Sequence, residues 1–326
     1  MLNSKVNERI NRALNFQEAD RVPVCDYLDN KKAFRFYSPN SKITLAEKVT
    51  VYHKLGIDVC WRHERPREGY FEKMKGFLNR LAYPENQFAA LTQEEVRGEF
   101  EEFKHQQKFF EPDTYLAMSC EGCLSFIYRR LGFENFCEKM YVDSMDLEKM
   151  MDICADNLYV RANEFARQNL GGIFFIMDDI AYNKGLIFSP RFLEQHWLPK
   201  IRNAISPLKR KNIKVILHSD GNLTDIIDKL IDIGIDGIHP VDEIAGMDIG
   251  VLKKKYAKTL LLFGNVDLYQ LDPNDVAKQT RRCIEKASFG GGHFIGSSTG
   301  VIDDRVQLDN IFAFLSTIND YGKPHP

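Results

Sequence analysis

Apolar residues in this chain fall into short runs at a regular beat, and in the second half each run precedes a stretch with helical spacing. GGIFFIMDD (171–179), IKVILHSD (213–220), DGIHPVD (236–242), TLLLFGNVD (259–267) and GGHFIGSS (291–298) are near-continuous apolar runs rather than alternating ones. That is the pattern of strands covered on both faces. Helical spacing follows over 190–211, 223–233, 249–256, the stretch after Pro273 and 305–318. Pro273 suits a first helical turn, where its missing N–H is not needed. Five strands each followed by a helix predict a parallel sheet.

The first half supplies three more units. VPVCDY (22–27) is strand-like, IDVCW (57–61) follows a helical stretch over 45–55, and TYLAMSC (114–120) precedes the helical CLSFIYRRLG. MLNSKVNERINRALNF reads as an amphipathic N-terminal helix, and 146–170 as a long helix leading to the fourth strand. The charged, aromatic insert over 62–112, after the second strand, predicts an extra hairpin or lid. Three strands and five make eight, with no Gly/Ser/Pro linker to divide the chain. The expected fold is therefore α/β, one (β/α)8 TIM barrel spanning 1–326. A doubly wound open sheet would carry a glycine-rich phosphate loop after an early strand. Gly290-Gly291-Gly292 instead precedes its strand and reads as a turn.

Composition narrows the function. A hydrophobic fraction of 44% and a charged fraction of 28% are those of a globular protein. A net charge of −2 gives no basic excess for nucleic acid. No run approaches the roughly 20 apolar residues of a membrane span, and the N-terminus lacks an apolar signal core. Seven scattered cysteines predict reduced thiols in a cytoplasmic protein. Cys120 and Cys123 form a lone CxxC, which reads as two thiols at a strand-to-helix turn.

The carboxyl ends of barrel strands are where such folds put their chemistry. Here they collect Asp26 and Asp29; His63, Glu64 and Arg65; Cys120 and Glu121; Asp178 and Asp179; His218 and Asp220; His239 and Asp242; Asn265 and Asp267; Ser297 and Ser298. Crowded carboxylates repel one another unless a cation or hydrogen-bond donors relieve them. Such a pocket suits a metal ion, a cationic substrate or a hydroxyl-rich one. His218 and Asp220, two residues apart, share a strand face and can reach one ligand. The catalytic candidates are His218, Asp220, Asp179 and His239, with His218 and Asp220 also the candidate metal ligands. The substrate-binding candidates are Asp29, Asp178, Cys120, Asn265, Asp267 and Ser298. Of Asp178 and Asp179 only one is expected to face the pocket, because neighbours on a strand point opposite ways. His293 begins its strand and is expected in the core, while His53, His105 and His196 read as structural or surface residues. Without a GxSxG elbow, a serine nucleophile has little support.

ADRVPV, DDIAYNKGLIFSPRFLEQHWLPKI, VILHSDGN, AGMDIGVLKKKYAKTLLLFGNVD and GGGHFIGSSTGV, in that order, resemble the uroporphyrinogen decarboxylase superfamily over nearly the whole chain. That superfamily also contains zinc-dependent methyltransferases acting with corrinoid proteins, and the resemblance implies the same (β/α)8 barrel. The true decarboxylases carry an Arg-Gln-Ala-Gly-Arg loop after the first strand. This chain has CDYLDNKKAF there, and Lys31 and Lys32 do not replace two bidentate guanidinium forks. The corrinoid methyltransferases bind zinc through His-x-Cys after the fifth strand and a cysteine after the eighth. This chain has His218-x-Asp220 and GSSTGV at those places. Zinc would then be held through nitrogen and oxygen, by His218, Asp220 and another carboxylate or His239. The harder Lewis acid that results suits an oxygen or nitrogen centre better than a thiol.

The resemblance thus implies a methyltransferase that moves a methyl group from a small O- or N-methylated substrate to a separate corrinoid protein carrying cobalamin. No segment of the chain reads as a cobalamin-binding module, and barrels of this type often form homodimers. Two alternatives stand beside it. One is a carbon–carbon lyase that decarboxylates a small acid held by Arg62, Arg65 and Arg67. The other is a barrel that binds a ligand without turning it over.

Overall fold

The computed structural model describes residues 2–38, 43–62, 88–142 and 144–323. Its strands are β1 (Tyr27–Asp29), β2 (Val59–Cys60), β3 (Tyr115–Leu116), β4 (Met118–Glu121), β5 (Ile173–Met177) and β6 (Ala181–Tyr182). They continue with β7 (Gly185–Leu186), β8 (Lys214–His218), β9 (Gly237–His239), β10 (Leu261–Phe263), β11 (His293–Phe294) and β12 (Val301–Asp303). β4, β5, β8, β9, β10 and β11 form one sheet, neighbours in that order, and the pairings are parallel. β2 pairs in parallel with β3, which runs through Ala117 into β4. Parallel bridges from Cys25 to Val59 and from Val24 to Ile295 bring the segment before β1 between the second and last staves and close the ring. The architecture is the eight-staved (β/α)8 barrel that the apolar runs predict.

Alternation along each stave separates two apolar layers. Ile173, Phe175 and Met177 of β5 pack inside the ring with Ile216, Leu261, Phe263 and Phe294. Phe174 and Ile176 pack outward under the helices. Inside, Phe263 and Phe294 stack with centroids 4.6 Å apart. Each such fully buried aromatic contributes on the order of 2–3 kcal/mol through loss of water contact. The predicted N-terminal helix, Ser4–Leu14, closes the amino end of the ring, adding Val6, Ile10, Ala13 and Leu14 to the inner layer.

Two local expectations are revised. Of the insert read as a hairpin or lid, 63–87 lie outside the described residues, and Gln93–Phe110 is an 18-residue helix with a Thr92/Glu95 capping box. Its buried face (Val96, Phe100, Phe103, Phe110) joins the outer apolar layer, so this part of the insert serves the helical shell. The last helix is Leu308–Tyr321 rather than 305–318, because β12 first pairs with β1 beyond the first and eighth staves. Among the described residues, no helix is long and apolar enough to cross a membrane.

Candidate functional site

β8 rises through Ile216, which faces the barrel interior, so His218 two residues on faces the same way. β9 lies beside it in register, with His218 opposite His239. Their rings meet Nδ1 to Nδ1 at 2.7 Å. Two imidazole nitrogens that close share a proton, one donating and the other accepting; where His218 Nδ1 is the donor, its Nε2 keeps a lone pair for another ligand. Burial pushes His218 down to about 4; Asp179 opposes that shift, while Arg62 and Arg129 reinforce it. Burial and then the neighbouring His218 take His239 well below its usual value. Around the pair stand Trp61, stacked on His218 at 4.6 Å and 25°, and Phe175, edge-on to His239 at 5.5 Å. The turn after β8 depends on Gly221, at φ +90°, where a Cβ would stand 2.4 Å from the Tyr182 nitrogen.

Asp178 and Asp179 part company at the end of β5. Asp178 turns outward, fully buried, and accepts from the backbone N–H groups of Cys123 (2.8 Å), Leu124 (3.2 Å) and Ser125 (2.6 Å) and from the Trp197 indole (2.8 Å). It anchors the start of the helix Leu124–Leu131. The expectation that Asp178 binds substrate is therefore corrected, since its acceptor capacity is spent inside the fold. Asp179 turns toward the mouth. Its Oδ1 accepts from the Asp220 N–H at 3.1 Å, and its Oδ2 is ion-paired with Arg129, which also lies 3.8 Å from Glu121.

Asp179, His218 and Asp220 each present a ligand atom within 4.8 Å of the others. Asp220 borders solvent, yet partial loss of hydration, then repulsion from Asp179 and Asp242, pushes its carboxyl up to about 7. One neutral nitrogen and two carboxylates, one of them carrying unfavourable charge, make a donor set that a divalent cation would relieve.

Other sequence-predicted residues lie elsewhere. Cys120 packs in the layer between barrel and helices, because Ala117 faces inward and the alternation turns 120 outward. Asp29 is directed at Lys48, 3.8 Å away. Asn265 receives the Cys283 thiol at 3.3 Å and so faces the helix Pro273–Ala287, while its Nδ2 has no hydrogen-bond partner among the described residues. Asp267 accepts from the N–H groups of Tyr269 and Gln270 and serves its own turn. For Cys120 and Asp267, the expected substrate contact gives way to these structural ones. Asp26 ties the first stave to the last through the Ser297 N–H (2.7 Å) and hydroxyl (3.0 Å). Ser298 keeps a buried hydroxyl with no hydrogen-bond partner among the described residues, a group a bound ligand could satisfy. His293 is buried in the core as expected. His63, Glu64, Arg65 and Arg67 lie outside the described residues.

Two residues of the site, Trp61 and Arg129, are not among the sequence candidates. Trp61 ends IDVCW at a strand's carboxyl end, a position that could have flagged it. Arg129 sits within a helix, in YRRLG, and nothing in its local pattern marks its reach to Asp179.

Residues 105–321 match the family described as uroporphyrinogen decarboxylase (URO-D). Among solved structures, a methyltransferase from Methanosarcina mazei superposes with a TM-score of 0.73 at 17% identity, covering 97% of this chain and 98% of that one. A GH5-4 broad specificity endoglucanase from Clostridium acetobutylicum gives a TM-score of 0.50 at 12% identity, covering 92% of this chain and 96% of that one. At these identities the likeness is one of fold. No curated protein sequence matches the chain significantly.

Proposed function

Starting from the fact that this chain belongs to the uroporphyrinogen decarboxylase family, we propose that it is an enzyme moving a methyl group from a small O- or N-methylated compound to a separate corrinoid protein. The observation that carries this reading is the grouping of Asp179, His218 and Asp220 within 4.8 Å at the barrel mouth. Asp179, His218 and Asp220 would hold zinc, with His239 as the outer partner that orients His218. When bound, zinc supplies a Lewis acid for the heteroatom that the methyl group leaves.

The protein's own groups have separable tasks. When the C–O or C–N bond breaks, its electron pair stays on the heteroatom, which then needs a proton. Asp220, with a carboxyl pushed up to about 7, can give that proton only where it is not a metal ligand; with Asp220 on zinc, the heteroatom would take its proton from solvent at the mouth. Asp179, fixed by Arg129 and by the Asp220 N–H, keeps negative charge at the mouth and favours a cationic or hydroxyl-bearing substrate. Trp61, Phe175 and Phe263 form a dry floor that keeps water from the histidine pair.

The test has two parts. Protein purified without chelator or His-tag should contain near-stoichiometric zinc that His218→Ala loses. A panel of O- and N-methylated compounds, supplied with corrinoid proteins, should show methyl transfer. Metal-free wild type together with no turnover across the panel would sink the proposal.

Arg62 and Arg129 near His218, with a carboxyl protonated near neutrality, favour one second reading: decarboxylation of a small acid with Asp220 as proton donor. Arg62→Glu should abolish that activity and leave methyl transfer in place.

A further inference from the structure

We infer that Trp61 is a positioning residue of this site: its indole face fixes the plane of the His218 ring, and in that plane the Nδ1–Nδ1 bond to His239 holds one ring orientation and one shared proton. The inference deepens the proposed function, and it rests on that reading only for its metal readout.

The contacts form a closed loop. Trp61 is fully buried, its ring centroid 4.6 Å from that of His218 at 25° and 4.7 Å from that of His239 at 51°. Its Nε1–H donates to the Gly300 carbonyl at 2.5 Å. Gly300, at φ +68°, lies so close to His239 that a Cβ would stand 2.2 Å from Cε1. His239 in turn bonds Nδ1 to Nδ1 with His218 at 2.7 Å. The indole sets His218, the Gly300 carbonyl sets the indole, and the Gly300 backbone sets His239.

This loop removes the freedoms that matter. A flat indole face restricts the imidazole to two orientations related by a half-turn about Cβ–Cγ, which exchange Nδ1 with Cδ2. The bond to His239 selects one of the two, because Cδ2 is no partner for a nitrogen lone pair at that distance. Sharing one proton then leaves a second choice, which Nδ1 carries it. Only with the proton on His218 Nδ1 does His218 Nε2 keep a lone pair for a ligand. A Trp serving only as filler would need none of these directional contacts. Trp197 provides the contrast: it is equally buried, but its indole bonds Asp178 outside the mouth.

The experiment compares full-length wild type with W61F, W61L, G300A and W197F. Protein labelled with 15N in its histidine rings reports tautomers by NMR without any metal, and Co2+ titration of the same samples gives affinity. Wild type, W61F and W197F should show two neutral rings of fixed tautomer. W61L, which stays apolar but loses the stacking face, should show averaged ring signals. So should G300A, which pushes His239 away. Co2+ should bind W61L and G300A about tenfold to a hundredfold more weakly, the range for lost outer-shell support of a ligand, and W61F within about threefold.

Wild-type ring signals in W61L and G300A would overturn the inference. If W61L fails to fold, G300A reads the same loop from the His239 side. If wild type takes up no Co2+ while the tautomer is still lost in W61L, the positioning role stands and the metal reading falls. If every variant keeps wild-type rings and binds Co2+ equally, the positioning role falls and the metal reading stands.

Discussion

At the amino end of the barrel Asp58 lies buried, accepting from Arg9 at 2.5 Å, Arg21 at 2.7 Å and the Val24 N–H at 2.8 Å. His293, in the same half, gives its Nε2–H to the Gly264 carbonyl at 2.7 Å and receives the Ser288 hydroxyl on Nδ1 at 2.8 Å. At the carboxyl end Asp220 meets Asp179 and Asp242, and His218 meets another histidine. Both ends withdraw ionisable groups from water. The base gives these groups fixed partners within the chain, while the mouth leaves like beside like. A cavity of about 330 Å3 opens at the base, between the end of the N-terminal helix and the last two helices. Its two arginines, Arg21 and Arg281, are already matched with Asp58 and Glu285. Compensation marks the half that holds the fold together. Charge left uncompensated within reach of solvent marks the half with chemistry to do.

The largest effect is expected at the base. Asp58→Ala takes its carboxylate from Arg21, leaves Arg9 with Asp20 alone and strips the Val24 N–H of its acceptor, and should cost about 3–5 kcal/mol, read by urea unfolding. Wild-type stability would remove the distinction between the two ends. His218→Ala should cost less, about 1–3 kcal/mol, because one buried nitrogen of His239 loses its partner. It should also empty the protein of zinc, and metal analysis with the same unfolding curves checks both.

The third effect is one of pH. His218 is neutral down to about 4, so the proton lost on metal binding near neutrality comes from Asp220, with a carboxyl at about 7. Affinity for Co2+ should therefore fall by about tenfold per pH unit below 7. A flat profile between pH 5 and 7 would take Asp220 out of the ligand set.

The smallest effect has the opposite sign to the first two. The carboxyl of Asp220 sits higher in the folded chain (about 7) than its ordinary 3.8. Its contribution to stability is thus whole below about 3.8 and lost as pH rises through 7. Asp220→Asn should stabilise the protein at pH 8 by no more than about 1 kcal/mol, since the residue borders solvent, and leave it unchanged at pH 4. Thermal melts at both pH values measure the difference directly. Destabilisation at pH 8 would mean that Asp220 is compensated after all.

Much of this architecture is legible in the chain. The apolar runs locate all eight staves, because a strand covered on both faces has no polar positions to interrupt it. The i, i+2 spacing of His218 and Asp220 predicts that they share a face. The rule that neighbours point apart also predicts that Asp178 and Asp179 separate, but not which of them turns inward. That choice depends on Ala117, Phe175 and Ile216 setting the inward parity of their staves. The same parity places Cys120 outside the pocket. Asp267 leaves it for another reason: the chain beyond β10 bends so that its carboxylate serves its own turn, and strand-end position alone does not report that.

Periodicity is therefore the part that the amino-acid order carries unaided: the succession of strands and helices, the parallel barrel they build, and the stretch of chain whose ends bear histidine and carboxylate. It is a property of neighbours in the chain, and burial imposes it locally. Partnership is the part that arises only in three dimensions. Trp61 meets His218 from another stave, Arg129 reaches Asp179 from a helix, and Asp58 gathers Arg9 and Arg21 from the N-terminal segment. Such pairs form when the ring closes and bring together residues remote in the chain. Whether a buried charge is matched or left in tension, and hence whether it stabilises the fold or serves the site, is fixed at that step.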